Sequence, residues 1–187
     1  MVKLGWMATP TLSDVARELE AARAHCRNMV DDLSQEELLW LPPRPDGIST
    51  CYHLGHIVFV EDTHIAQATE RPLLASPEFQ KAFGVNNVNN RDARFPPREQ
   101  VFACMEGVRA RTLECLAARF EHVQDPNGAL AAAEVFRGVI NHEYSHTKYM
   151  RRIRAEMGKP PVDPPASMLV RADENAIASP QYSISHW

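Results

Sequence analysis

Residues 142–146 read His-Glu-Tyr-Ser-His, two imidazoles four residues apart with a glutamate beside the first. On a helix that spacing turns about 40° and rises about 6 Å, so both rings project side by side. The surrounding residues Ala132, Val135, Val139, His142, His146, Tyr149 and Ile153 step by three and four, which places the histidines in an apolar seam. Burying two polar rings there costs free energy unless each finds a partner. A divalent cation satisfies both at once, because neutral imidazole is a good ligand for zinc, nickel, copper or iron. H-E-x-x-H is also the string of zinc peptidases, in which the glutamate, here Glu143, is the base. That reading lacks a convincing third ligand. Downstream stand only Asp163, Asp173, Glu174 and His186, in proline-rich or irregular sequence, and no strand pattern offers an edge for a peptide. The peptidase is therefore a minor reading.

A second cluster raises the case for a metal. The stretch Cys51–His64 places His53, His56 and His64 on one side of a second helix. One of them reaching the later pair makes a three-histidine set with a coordination position left for water or substrate, which is the pattern of a catalytic site. The histidines not used as ligands are candidates for hydrogen-bonding support or acid–base work. Glu61 lies near the same face, either orienting a ligand or serving as base, or simply salt-bridged. Tyr149, one turn past His146, is a candidate hydrogen-bond donor, with core packing as its plainer role. His25, His122 and His186 fall outside both clusters and read as surface or locally bonded groups.

These residues need a scaffold, and the chain predicts one built of helices alone. Thr11–Ser34 carries Leu12, Val15, Leu19, Ala22, Cys26, Met29 and Leu33 at helical spacing, with Thr11 or Ser13 as cap. A proline-containing loop with an Asp46-Gly47 turn follows, from which Trp40 and Leu41 dock on the bundle. Ser49 caps a second helix through Thr69, with Leu54, Val58 and Ile65 inward. Residues 71–96 read as a long connection, either a pocket lid or a mobile segment, with turns favoured at Asn86–Asn90. A third helix opens at Pro96-Pro97 and turns Val101, Met105, Val108, Thr112, Cys115 and Leu116 inward. A fourth runs from about Ala129 to Gly158, stopped by Gly158 and Pro160. The expectation is an all-α four-helix bundle over residues 1–158, with a proline-rich tail, 159–187, packed on the bundle or on a partner subunit.

Bulk properties narrow the function. A chain of 187 residues suits one domain with a real core, and a net charge of −4 without a basic stripe makes nucleic acid or an anionic membrane a poor partner. No apolar run is long enough to span a bilayer, and the amino-terminal stretch lacks the apolar core of a secretory signal. Cys26, Cys51, Cys104 and Cys115 form no C-x-x-C pair and read as reduced, buried thiols, which points to the cytoplasm.

The segments Gly47–Thr63 and Val139–Gly158, with the loop Trp40–Ser49 between the first two helices, resemble the DinB-like metal-binding helical bundles. They are most similar to the amino-terminal domain of the ergothioneine-type sulfoxide synthases, and the resemblance covers roughly Leu12 to Gly158. It implies His56, His142 and His146 as metal ligands, with His53 at a variable position beside the pocket. The sulfoxide synthases carry a second catalytic domain for which this chain has no room. The wider family implies instead a stand-alone metal protein binding zinc, nickel or iron. Its expected activity is that of a thiol-dependent transferase or isomerase on a small-molecule substrate, with a low-molecular-weight thiol as co-substrate and a homodimer as a common assembly. Arg151, Arg152 and Arg154 are then candidates for the thiol's carboxylate, or else a solvated face. The competing class is a metal-binding interaction protein without catalysis.

Overall fold

The computed structural model describes residues 8–43, 47–87 and 94–165. Four long helices carry the fold: α1 (Leu12–Asn28), α3 (Thr50–Thr69), α5 (Arg98–Phe120) and α6 (Pro126–Glu156). Two short ones, α2 (Gln35–Leu39) and α4 (Pro77–Phe83), sit in the connections, and α4 is followed by a single 3-10 turn at Val85–Asn87. No strand occurs among the described residues.

Local chemistry explains the boundaries. Thr11 and Asp14 form a reciprocal capping box at the start of α1, and Ser34 and Glu37 form another on α2. Ser49 caps α3 through the Tyr52 amide, and Pro97 precedes α5. The α6 helix begins earlier than the sequence suggests. Asp125 accepts from the amides of Asn127 and Gly128, and Pro126 occupies the first turn, so Asp-Pro-Asn-Gly is the start of this helix. At its other end Gly158 has φ 72°, Gly158 N–H donates to Ala155 O at 3.0 Å and Lys159 N–H to Arg154 O at 2.9 Å. That pair of bonds is the Schellman stop.

Side-chain pairings fix the directions. Arg23 meets Glu143, and Arg154 meets Met29 and Asp32, so α1 and α6 run parallel. Thr112 meets Glu61 and Arg119 meets Ala68, so α3 and α5 also run parallel. His53 pairs with His146 while His56 faces His142, so α3 and α6 are antiparallel. Two parallel neighbours cannot be joined by a tight turn. The chain from α3 to α5 must return along the full length of the bundle, and this is why the 71–96 connection is long. It is neither featureless nor uniformly loop: Ser76 caps α4, and Phe79 and Phe83 bury their rings in the core. Residues 88–93 of the connection, Asp46 of the predicted turn, and residues 166–187 of the tail lie outside the described residues.

The predicted seams of α1, α3 and α5 are buried as expected, except that Leu12 is exposed. Leu38 is the buried anchor of the α2 region, with Trp40 and Leu41 half-buried beside it. All four cysteines are free, three of them buried and Cys104 half-buried. Of the two readings for His25, surface or locally bonded, the surface one fails: the residue is buried, with its ring near Tyr144. Arg154 also departs from a ligand-binding role, because it is a buried strut bonded to Asp32, Met29 O and Pro160 O.

Gly55 marks the closest approach of the connection to the bundle. A Cβ at this position would collide with the Phe83 ring, which is fully buried between Phe79 and Phe95. Substituting Gly55→Ala is therefore predicted to destabilise by about 1–3 kcal/mol through overpacking, outweighing the gain of about 1 kcal/mol in helix propensity. A urea midpoint that stays unchanged or rises would show that Phe83 can give way.

Candidate metal centre

Three imidazoles from two helices converge at one level of the bundle. His56 of α3 and His142 and His146 of α6 each offer one ring nitrogen, and these nitrogens all lie within 4.8 Å of one another. The Nε2 atoms of His142 and His146 are 3.1 Å apart. Metal–nitrogen bonds of about 2.0–2.1 Å at tetrahedral angles put ligand nitrogens roughly 3.3 Å apart, so this pair has the spacing of a shared ion. His56 Nδ1 lies 2.8 Å from Phe83 O, a carbonyl that can only accept. His56 therefore carries its proton on Nδ1 and leaves a lone pair on Nε2. The Tyr52 ring stacks on His56 at 5.4 Å between centroids, and the Tyr52 hydroxyl donates to Gly84 O, so the same segment steadies the ring twice.

The electrostatics suit neutral ligands. Burial, then neighbouring His56, push His142 from an ordinary 6.5 to about 3. Burial and the adjacent imidazoles, His142 first, hold His146 well below 6.5. Burial also lowers His56, against the opposing pull of its bond to Phe83 O. Metal binding requires uncharged imidazole, so a donor set kept neutral at physiological pH fits a divalent cation.

The sequence-derived seam on α6 holds at Ala132, Val139 and Ile153, which are buried, and needs correction at the histidines. The most deeply buried stripe there runs through Ile140, Glu143, Thr147 and Met150, while Val135, His142 and His146 are half-buried, the histidines on the flank facing α3, and Tyr149 is exposed. The remaining candidates divide. His53 joins the centre, with Nδ1 2.8 Å from His146 Nδ1 and its ring stacked 5.4 Å from Tyr149. His64 is half-buried, close enough to bear on His142, and its Nδ1 meets Val60 O at 3.0 Å.

Glu61 and Glu143 do not face the histidines as acid–base groups. Glu143 accepts from Arg23 Nε and from Arg109 Nη2, each at 2.7 Å. Glu61 accepts from Arg109 Nε at 2.9 Å and Nη2 at 3.0 Å, from Thr112 Oγ1 at 2.7 Å, and from Arg23 Nη2. The four charged side chains are at most 5 % exposed, and each comes from a different long helix. Glu143 as a peptidase base is thus contradicted by its two arginine partners. Of the proposed third ligands for that reading, Asp163 is exposed, and Asp173, Glu174 and His186 lie outside the described residues. Sequence reasoning missed Arg23, Arg109 and Phe83. The arginines had a signal: each stands four residues beyond a core position, Leu19 and Met105, and so on the buried face. A backbone carbonyl such as that of Phe83 leaves no mark in composition, although the glycine of His-Leu-Gly-His is the trace of its close approach.

Against known proteins, the family model described as the DinB superfamily matches residues 9–150. No curated protein matches the chain.

Two predictions follow from the electrostatics. Glu143→Gln leaves Arg23 and Arg109 facing a single carboxylate in a dry interior, and is predicted to cost about 3 kcal/mol or more in a denaturant titration. A cost under about 1 kcal/mol would mean that the four charges are not mutually dependent. The metal-free protein should also lose stability as pH falls below about 6.5, because the unfolded chain takes up histidine protons there that folded His142 and His146 refuse. Burial would raise Glu61, but Arg109 and Arg23 hold it below its ordinary 4.5, so a further loss sets in below that pH. In chelator, urea midpoints from pH 8 to 5 should slope downward, and His142→Ala should flatten the slope.

Proposed function

This chain belongs to the DinB superfamily, and from that premise we propose that it is a divalent-metal protein whose three-histidine centre serves an enzyme acting on a small molecule, of thiol-dependent transferase or isomerase type. The observation that carries the reading is the convergence of His56, His142 and His146, with ring nitrogens within 4.8 Å, on a flank where two of the three are half-exposed. Three protein ligands leave room in the coordination shell, and a half-exposed flank lets an external molecule reach it. A bound zinc, nickel or iron ion supplies a positive centre that lowers the pKa of a coordinated thiol or water.

The protein's own residues do the rest. His56 is held in one tautomer by Phe83 O and under one face by Tyr52. Because Glu61 and Glu143 are committed to Arg23 and Arg109, proton handling beside the ion falls to His53, His64 and the Tyr149 hydroxyl. Cys26, Cys51 and Cys104 are poor nucleophiles, since burial raises each of them, Cys51 to about 12 and Cys104 to about 11. That favours a thiol supplied from outside. The competing reading, a metal clamp without catalysis, draws on the fact that the histidines come from two helices, α3 and α6.

Protein purified without a histidine tag should carry about one divalent ion per chain by elemental analysis, and His56→Ala or His142→Ala should lose it. A low-molecular-weight thiol should raise the melting temperature of the loaded protein only; at a hundredfold excess over Kd the gain is about 2.7 kcal/mol. Failure to bind any divalent metal would overturn the reading. Metal without any thiol response would favour the clamp.

A further inference from the structure

We propose that His53 is a positioning residue of the metal centre: its Nδ1 accepts a hydrogen bond from His146 and holds that imidazole as the tautomer whose Nε2 lone pair faces the metal. The inference rests on the metal-centre reading above and deepens it.

The argument is one of proton accounting. A neutral imidazole carries one N–H and one acceptor nitrogen. His146 uses both nitrogens in close contacts, Nδ1 to His53 Nδ1 at 2.8 Å and Nε2 to His142 Nε2 at 3.1 Å. A metal shared by the two Nε2 atoms takes the place of a proton in that contact, so both nitrogens must present lone pairs. The single proton of neutral His146 must then sit on Nδ1, where His53 Nδ1 accepts it. If His53 donated instead, the proton of His146 would sit on Nε2 and that nitrogen could not ligate. Only the arrangement in which His53 accepts is compatible with a metal held by both His142 and His146.

The surroundings hold His53 in that role. The residue is 5 % exposed, and its ring lies 3° from parallel to the Tyr149 ring at 5.4 Å and meets the Tyr52 ring edge-on at 6.3 Å. A ring fixed on two sides keeps its Nδ1 aimed at His146. The centre then has the same device on both helices. Phe83 O orients His56 of α3, and His53 orients His146 of α6. Such supporting partners typically contribute 10- to 100-fold to metal affinity.

Two variants separate this role from packing and from direct ligation. His53→Phe keeps a flat ring against Tyr149 but has no acceptor. His53→Asn loses the ring but carries Oδ1 where histidine carries Nδ1. Zinc affinity of the full chain is read by competition with a chromophoric chelator, and melting in excess chelator reports folding of each metal-free variant. The expected result is a 10- to 100-fold loss for His53→Phe and recovery to within about threefold of wild type for His53→Asn. In zinc-loaded wild type, nitrogen-15 spectra should place the His146 proton on Nδ1. Unchanged affinity in His53→Phe, equal losses in both variants, or a His146 proton on Nε2 would overturn the role of His53 while leaving the metal centre standing. Absence of zinc binding in wild type itself would remove the metal-centre reading and this inference with it.

Discussion

The interior of this bundle is organised by two arginines and two glutamates. Arg23 of α1, Glu61 of α3, Arg109 of α5 and Glu143 of α6 meet at one level, buried and balanced in sign. Desolvating four charges is expensive, and apolar residues of the same volume would serve stability as well or better. The arrangement supplies selectivity of register instead. If any long helix slid by one turn, about 5.4 Å, its charge would leave the cluster and strand the others unpaired. Arg109 and Arg23 also reach backbone carbonyls, Leu19 O and Met105 O, so the cluster ties main chain as well as side chains. Helices locked at one level are what allow imidazoles from α3 and α6 to meet at all.

The charge cluster and the candidate metal centre share one stretch of helix, and the division between them is geometric. Consecutive residues on a helix point about 100° apart. On α6 that angle sends Glu143 into the dry centre and leaves His142 and His146 on the flank facing α3. The H-E-x-x-H string is therefore split between two environments. In a peptidase the glutamate must reach water on the metal. Here its oxygens are held by guanidinium groups, so the same five letters encode a pair of facing imidazoles and a structural charge.

Most of the scaffold was legible because helix caps and apolar spacing are local signals. The second helix follows its predicted bounds from the Ser49 cap to Thr69, and the inward residues of the third are buried as read. The DinB-like character was carried by short motifs whose order survives without long-range information, and the family match over residues 9–150 agrees. What stayed hidden depended on tertiary partners. Arg23 and Arg109 stand at core-facing positions, but what pairs them with Glu61 and Glu143 is set only when four helices come together. At the histidines the buried stripe of α6 lies one position beyond the predicted seam, through Glu143 and Thr147, because a paired charge fills the core position there. The α4 helix was missed because a seven-residue element has too little periodicity to stand out from a loop.

The long connection joins these themes. Because α3 and α5 are parallel, the chain must travel back along the bundle between them, and that passage lays Phe83 across Gly55. Gly55 immediately precedes His56, so the contact that packs the crossover also delivers the Phe83 carbonyl to His56 Nδ1 at 2.8 Å. A Cβ at 55 would meet the Phe83 ring, so the glycine is what allows the crossover to pack this closely beside His56. The same segment offers Gly84 O to the Tyr52 hydroxyl, whose ring lies on His56. The connection is thus an extension of the histidine cluster rather than a detour around it. A topological requirement, the return from one parallel helix to the next, places the carbonyl that orients the His56 ring.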